Sequence, residues 1–367
     1  MAAAKPPRTA GPGSAEELPV TVLLTLKDRL GLTRRWLEYM RRVEWRIPVH
    51  IADGSVEQDA SAVVAEFQQQ NPSIPITYHR HPPDKGIKVF VAKVIHALEA
   101  INTRWVMLTD NDDFMVEEGI HRALEVLQAD PALVGCRGRT VYFNQSGGPF
   151  GLFEYERKWN ARSPRAAERL LNHASSYAPT WYCITDRQLL LEAWRGMHEF
   201  PSDDVGFLEL YQTTLLVASG PVAWEDFPHL LRQLDGDKTS TRTRRKADQL
   251  ARIMQDAEWS RTSRMIIDRV AARVHQRDGG QYDDAYRAAA EACRRIVEAA
   301  LVRQGVLHAL GRKGGMGWMA TTLLHRYWLR YIASPAVRTV TWAAGPRALG
   351  HGFAPARDLL QKDWSAQ

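Results

Sequence analysis

Cysteine and long apolar runs are both scarce in this chain of 367 residues. The three cysteines, Cys136, Cys183 and Cys293, lie far apart and form no Cys-x-x-Cys pair. This spacing argues against a disulfide framework and against a cysteine zinc site, and it fits a reducing cytoplasm. There is no run of 18 uncharged apolar residues, so we expect no transmembrane helix. The sequence therefore predicts a cytoplasmic protein.

The N-terminal segment argues against a signal peptide, and the distribution of charge argues against a nucleic-acid-binding protein. Residues 1–18 are rich in Ala, Pro, Gly and Ser and lack the apolar core of a signal peptide, so we expect a disordered leader. The net charge is +6 and the pI about 9.2, but the basic residues form no nucleic-acid-binding motif, and we expect no nucleic-acid partner. The densest basic run, 239–246, fits a solvated linker, or a contact with lipid headgroups or a polyanionic acceptor.

What the chain does have is alternation of strand and helix patterns over its first 130 residues. Runs rich in β-branched and aliphatic residues predict strands, and apolar residues at helical spacing predict helices. The predicted strands are 19–26, 47–52, 74–79 and 105–109, and the predicted helices are 28–42, 60–69, 86–100 and 117–128. Such alternation predicts the α/β class, with a mostly parallel sheet flanked by helices.

Carboxylates follow two of the predicted strands. Asp110, Asp112 and Asp113 come directly after the apolar run Trp105–Thr109, and Asp53 ends the second strand. The carboxyl ends of strands in such a sheet line one ligand crevice. Clustered carboxylates repel each other unless a cation joins them, and oxygen ligands suit Mg²⁺ or Mn²⁺ carried on substrate phosphates. The alternative is a loop that caps the following helix.

These motifs together resemble the GT-A glycosyltransferases, close to family 2. The residues that carry the resemblance are Val20–Thr25, Ile51–Ser55 and Val106–Asp113, the last in the place of the family's DxD motif. The resemblance covers residues 19–235, and residues 236–367 would form a helical C-terminal domain. The chain departs from the family at Lys27-Asp28-Arg29, where family 2 members often have Tyr-Asn-Arg.

The resemblance implies a nucleotide-diphosphate sugar as donor, with UDP as the expected nucleotide, and Mg²⁺ or Mn²⁺ as cofactor. Asp112 would hold the metal with help from Asp110, and Asp110 and Asp113 would position the ribose. Asp53 would hydrogen-bond the base. The residues expected to complete the nucleotide site are Thr25, Arg29 and Arg232. His229 would complete the metal shell, although a lone histidine among apolar residues is also typical of a protein core.

The acceptor side is predicted from a helix that ends at Ser219-Gly220. Family 2 enzymes resemble this segment in placing a catalytic carboxylate about eleven residues before the terminating glycine, which indicates Glu209 as general base. Leu208 stands where the family has the first acid of a Glu-Asp pair. Asp204, beside Asp203, is the rival catalytic residue, and both also fit a helix N-cap.

Two further sets of side chains leave alternatives open. Tyr177, Trp181 and Tyr182 fit either the protein core or an aromatic platform under a sugar ring. Lys85, Lys88 and Lys93 are expected to be solvated on the surface.

The C-terminal helices also have two interpretations. The aromatic and basic stretch 316–332 fits packing against the catalytic domain, or a peripheral contact with the inner face of a membrane that carries a lipid-linked acceptor. We therefore expect transfer to a glycan or lipid-linked hydroxyl. A nucleotidyltransferase is the alternative enzyme, although no Gly-rich phosphate loop follows the first strand. A degenerate module that only binds sugar or nucleotide is the non-enzyme alternative.

Overall fold

A computed structural model describes residues 19–144, 151–155, 161–202, 205–233, 257–311, 337–340 and 359. The expected leader, the basic run 239–246, the candidate Asp204 with its neighbour Asp203, and the stretch 316–332 lie outside the described residues. The strands are β1 (Val20–Leu26), β2 (Val49–Asp53), β3 (Ile76–Arg80), β4 (Trp105–Asp110), β5 (Phe114–Met115), β6 (Gly135–Asn144), β7 (Gly151–Tyr155), β8 (Ile184–Asp186), β9 (Val222–Gln233) and β10 (Val337–Val340). The helices are α1 (Leu30–Arg42), α2 (Ser61–Gln70), α3 (Ile87–Ala100), α4 (Glu117–Ala129), α5 (Ala166–Ser175), α6 (Arg187–His198), α7 (Val205–Ser219), α8 (Ala257–Asp278) and α9 (Tyr282–Gly311).

The strands form one sheet in the order β10-β7-β6-β8-β4-β1-β2-β3, with β9 joining β5 and β6. Strands β3, β2, β1 and β4 are parallel, and the predicted α/β class is confirmed. The other half of the sheet mixes parallel and antiparallel pairs. In the parallel half Thr25 lies opposite Asp110, and Leu26 lies opposite Asp53. The acidic strand ends therefore meet at one edge, as the sequence predicts.

The central strand β1 shows why these residues form a sheet. All seven of its residues are buried, because helices cover both faces. Val20, Val22, Leu24 and Leu26 belong to one hydrophobic cluster, whereas Leu23 belongs to the cluster on the other face. This division follows the two-residue period of a strand. Burial on both faces explains the continuous apolar run that predicted the strand.

Several elements after residue 130 had no sequence-based prediction. The missed elements are strands β7, β8, β9 and β10 and helix α6, and β10 lies in the region that was predicted to be helical. Strand β9 contains Glu225, Asp226 and Pro228, which interrupt any apolar alternation. It pairs with β6 through irregular register around Arg139, opposite Pro228. A bulge accommodates a proline that cannot donate to the ladder, so the strand persists where the pattern is broken.

The C-terminal helices α8 and α9 pack on α5 and α7. Ile266, Val270 and Val274 are almost fully buried and belong to the same cluster as Phe207 and Leu216 of α7. This contact packs α8 against α7, whereas the two interpretations of the stretch 316–332 stay open. Among the described residues, no helix combines the length and the apolar composition that crossing a bilayer requires.

Candidate active site

Asp110 occupies the end of β4, beside the end of β1. Thr25 Oγ1 donates to Asp110 Oδ1 at 3.0 Å, and the Tyr182 hydroxyl lies 3.4 Å from Oδ2. Burial raises the pKa of Asp110, and the nearby Asp112 carboxylate raises it further, while Arg29 and Arg232 oppose the rise. Burial and mutual repulsion therefore disfavour the charged forms of these carboxylates, and a bound cation would stabilise them.

Asp112 is held from its side chain and from its backbone. Its carboxylate lies 3.3 Å from Arg29 Nη1, and its carbonyl accepts a hydrogen bond from Arg35 Nη2 at 3.0 Å. Arg35 is fully buried and also donates to Gln233 Oε1 at 2.9 Å. A buried guanidinium fixes the loop after β4, so the position of the Asp112 carboxylate is set before any ligand arrives.

Asp113 connects the acid loop to β9. It is fully buried, and its Oδ1 accepts from the Gln233 amide at 2.8 Å. Arg232 Nε lies 3.8 Å from Oδ2, and the Arg232 guanidinium stacks 4.9 Å from the Tyr182 ring centroid. Asp113 therefore positions Arg232, whose side chain is one third exposed and remains able to meet an anionic ligand.

Asp53 has its acceptor capacity filled by the protein. Ser55 donates to Oδ1 from its amide at 2.8 Å and its hydroxyl at 2.5 Å, while the Ala60 amide and the Tyr78 hydroxyl donate to Oδ2 at 2.9 and 2.7 Å. Burial would raise the pKa of Asp53, but these hydrogen bonds hold it below its ordinary value. In this arrangement Asp53 shapes the loop after β2. Its predicted contact with a nucleotide base stays a prediction.

The loop after β1 contains two consecutive residues in the left-handed region, Asp28 at φ 56° and Arg29 at φ 60°. Non-glycine residues rarely adopt this conformation, and it concentrates at functional sites. Asp28 Oδ1 accepts from the amides of residues 56, 57 and 58 at 2.8–3.0 Å. The Asp28 carboxylate therefore joins the loops after β1 and β2, while Arg29 turns toward Asp112. The departure from family 2 at Lys27-Asp28-Arg29 is visible in the sequence, but the spacing of these residues gives no sign of this role.

Glu209 lies on α7 and is half-buried. The Tyr177 hydroxyl lies 3.3 Å from Glu209 Oε1. Tyr182, five residues after Tyr177, has its hydroxyl near Asp110. Both tyrosines are buried, and the Trp181 ring lies 5.3 Å from the Trp194 ring, tilted by 59°. The aromatic side chains of this segment therefore belong to the core. The two tyrosine hydroxyls contact the carboxylates of Glu209 and Asp110, so both carboxylates meet the same short segment of the chain.

His229 lies on β9, fully buried. Its Nε2 donates to the Tyr182 carbonyl at 3.0 Å, since a carbonyl can only accept. Burial lowers the pKa of His229 to about 4, so the ring is neutral at physiological pH. These are the contacts of a core histidine, which the sequence left as an alternative. The metal role of His229 stays a prediction.

The acid cluster suits a metal that is shared with a ligand. Within the described part of the chain, no group of three or more metal-binding side chains comes together. Asp110 and Asp112 are close enough for Asp112 to raise the pKa of Asp110. Mg²⁺ is commonly held by one or two carboxylates with substrate phosphates supplying further oxygens. The residues present fit that arrangement.

Lys93 was predicted to be solvated, and that prediction was wrong. Its side chain is 1% exposed, and its Nζ lies 2.5 Å from Asp84 Oδ2. The helical pattern marks Val94 and Leu98 as apolar positions of the helix, but it cannot show that a carboxylate from the preceding loop folds over the same face as Lys93. Lys88 also departs from simple solvation, because its Nζ donates to the His198 carbonyl at 2.7 Å.

Comparison with known proteins gives structural likeness only. No family model and no curated protein match this chain. S. aureus TarS 1-349 in complex with UDP-GlcNAc is similar at 12% identity and a TM-score of 0.45, covering 78% of this chain and 92% of that one. The same fragment in complex with UDP gives 14% identity and a TM-score of 0.43, covering 78% and 91%. The mannosyltransferase PcManGT from Pyrobaculum calidifontis, in complex with GDP-Man and Mn²⁺, gives 17% identity and a TM-score of 0.41, covering 90% of each chain. At these values the function must be argued from the motifs and the site of this chain alone.

Proposed function

We propose that this protein is a GT-A glycosyltransferase that moves a sugar from a nucleotide-diphosphate donor, with UDP-sugar as the expected donor, to a hydroxyl of a glycan or lipid-linked acceptor. The observation that carries the proposal is the buried acid cluster at the joined ends of β1 and β4, with Arg29 and Arg232 beside it. Carboxylates with adjacent guanidinium groups suit a diphosphate that arrives with a divalent cation.

The donor side supplies binding and orientation. Arg29 and Arg232 carry exposed fractions of about a quarter and a third, so both guanidinium groups are accessible to phosphate oxygens. Guanidinium matches phosphate geometry through paired hydrogen bonds. Asp112 and Asp110 would hold Mg²⁺ or Mn²⁺, which when bound neutralises charge on the leaving diphosphate. Thr25 fixes the orientation of Asp110 by its hydrogen bond at 3.0 Å.

The acceptor side supplies a base. Glu209 accepts the proton of the acceptor hydroxyl as the hydroxyl oxygen bonds to the anomeric carbon and the bond to the diphosphate breaks. The anomeric carbon has oxocarbenium character in such a transition state. Attack opposite the leaving diphosphate inverts the anomeric centre. Tyr177, whose hydroxyl lies 3.3 Å from Glu209 Oε1, orients the carboxylate.

The test uses the released product and the metal. The protein is incubated with a panel of nucleotide sugars and with nucleoside triphosphates, each with Mn²⁺ and with EDTA. A glycosyltransferase releases a nucleoside diphosphate as the sugar passes to water or to an added hydroxyl acceptor. A nucleotidyltransferase releases pyrophosphate, and a binding module releases neither. Thermal shift finds the donor first, since a ligand at a hundred times its dissociation constant stabilises by about 2.7 kcal/mol. Pyrophosphate release, or stabilisation by sugar nucleotides without any turnover, would contradict the proposal.

A further inference from the structure

Lys93 and Asp84 form a buried ion pair at the end of β1, the strand that also carries Thr25 of the proposed donor site. Lys93 Nζ donates to Asp84 Oδ2 at 2.5 Å and to the Leu26 carbonyl at 2.8 Å. The side chains are 1% and 3% exposed. Leu26 is the last residue of β1, so the pair is anchored to the strand end that carries the nucleotide loop.

The same pair holds the loop after β2. The Asp84 amide donates to the Gly54 carbonyl at 2.7 Å, and the Gly54 amide donates to the Leu26 carbonyl at 3.0 Å. A Cβ atom at residue 54 would lie 2.4 Å from Asp84 Oδ1, so the carboxylate packs directly against the glycine. The ends of β1 and β2 and the loop before α3 therefore meet at one ion pair.

Lys93 also acts on the charge of the site. Burial lowers the pKa of Lys93, and Asp84, Asp53 and Asp110 raise it in return. Lys93 is therefore near enough to Asp53 and Asp110 for its charge to interact with theirs. In a low-dielectric interior such a charge acts over several ångströms, because water does not screen it.

We propose that Lys93 and Asp84 are a positioning pair that sets the geometry and the charge of the nucleotide-diphosphate pocket without touching the donor. The proposal rests on the proposed function, because that function assigns the pocket to the donor. A positioning pair differs from ordinary core packing in its effect on binding. Loss of the pair should weaken donor binding and leave acceptor binding unchanged.

The experiment removes both charges together in the full chain. Lys93→Met with Asp84→Asn avoids leaving one buried charge without a partner, which is the strongly destabilising case. The matched control is Arg195→Met with Glu99→Gln, which neutralises an exposed ion pair of 2.7 Å between α6 and the same helix α3. Isothermal titration with UDP and Mn²⁺, and the KM values for donor and acceptor, are measured for each protein.

We expect the Kd for UDP and the donor KM to rise by about tenfold or more, the scale seen when outer partners of a site are removed. The acceptor KM should stay at the wild-type value, and the control should match wild type throughout. Wild-type UDP affinity in the double variant would overturn the proposal. An equal loss in the control would overturn it as well, since the effect would then be one of net charge.

A single variant tests the proposal if the double variant fails to fold. Asp84→Asn alone keeps a side-chain oxygen for Lys93 Nζ and removes only the negative charge. The Kd for UDP should rise in this variant too, and an unchanged Kd would overturn the proposal. Absence of any nucleotide binding by the wild-type protein would instead overturn the proposed function and this proposal with it, so the two failures are distinguishable.

Discussion

Glu209 projects from α7 half-buried, with a tyrosine hydroxyl on one of its oxygens. Glu209→Gln keeps the size and the hydrogen-bonding capacity of the side chain but cannot accept a proton. We expect turnover to fall by roughly 10²–10⁴-fold, the usual contribution of a general base. Donor affinity should stay unchanged, because a general base acts on the acceptor hydroxyl and the substitution keeps the size of the side chain. Initial rates at saturating substrates and titration with donor measure the two effects.

Asp204 is tested in the same assay. Glu118→Gln, on the exposed side of α4, is the control for loss of one carboxylate and should be fully active. A normal rate in Glu209→Gln together with an inactive Asp204→Asn would transfer the role of base to Asp204.

His229 gives a prediction for the pH dependence of stability. Burial lowers the pKa of His229 to about 4 in the folded protein, below the ordinary value near 6.5. The unfolded chain therefore binds the proton first as the pH falls. The stability that His229 contributes is present above about pH 6.5 and is lost on the way to about pH 4, by up to about 3 kcal/mol.

His229→Gln isolates this contribution, since glutamine can still donate to the Tyr182 carbonyl and does not titrate. Urea unfolding at about pH 7.5 and about pH 5 should show a smaller loss of unfolding free energy in the variant than in wild type. His50 and His81, whose pKa values burial also lowers to about 4, remain in both proteins and cancel in the comparison. Equal losses in both proteins would show that His229 does not control the acid limit.

At the residue scale, the sequence predicts the acids better than their partners. Asp110, Asp112 and Asp113 are recognisable because three carboxylates follow an apolar strand. Arg35 and Gln233 are not recognisable, since they contact each other across 198 residues of chain. Lys93 is not recognisable either, since it contacts the Leu26 carbonyl 67 residues before it and Asp84 in the preceding loop. A local pattern contains the charge of a side chain but no information on which loop folds over it.

Among the elements, α1 ends in a conformation that a glycine would adopt more easily. Glu44, just after the helix, has φ 52°, and an acid at a helix C-terminus also opposes the helix dipole. Its ion pair with Arg46, at 3.8 Å and highly exposed on both sides, contributes little. Glu44→Gly should raise the unfolding free energy by about 0.5–1 kcal/mol. Glu44→Ala, which removes the charge but keeps the Cβ atom, should show a smaller gain in the same denaturation experiment.

The other end of α1 should respond differently to the same substitution. Arg29 has φ 60°, but its guanidinium lies beside Asp112. Arg29→Gly relieves the backbone strain, so stability should hold or rise, while affinity for UDP with Mn²⁺ should fall. Calorimetric titration with UDP alongside thermal unfolding separates the two effects. Unchanged UDP affinity would remove Arg29 from the proposed donor site.

Elements in the parallel half were predicted within a few residues of their observed ends, because β1, β2 and β4 are short apolar runs between amphipathic helices. Strand β9 was missed because Pro228 and two acids break its pattern, and pairing with β6 forms it nonetheless. Gly220 was predicted to cap α7, yet it lacks a left-handed φ. It is required because a Cβ atom there would lie 2.4 Å from Val134 Cγ1, a tertiary contact that sequence spacing cannot show.

For the whole molecule, the shared core sets how the chain unfolds. The sequence predicts a boundary near residue 235, with the later helices serving the acceptor. In the structure α8 completes the cluster that contains Phe207 and Leu216 of α7. Each fully buried aliphatic side chain contributes about 1.5–3 kcal/mol. A chain that ends at residue 235 should therefore unfold at a markedly lower temperature or aggregate, as scanning calorimetry and gel filtration would show.

The full-length protein is expected to unfold in one transition that includes α8. Adding a separate peptide of residues 257–311 should restore part of the lost stability to the shortened chain. An unfolding temperature equal to that of the full chain would show instead that the catalytic part is an independent domain, as the predicted boundary implies.

The contact between Gly54 and Asp84 has an evolutionary consequence. Because the glycine Cα and the carboxylate occupy adjoining space, neither position can change freely. A larger residue at 54 requires a smaller one at 84, and the loss of Asp84 leaves Lys93 buried without its counter-ion. The three positions should therefore change together among descendants of a common ancestor, with single replacements selected against.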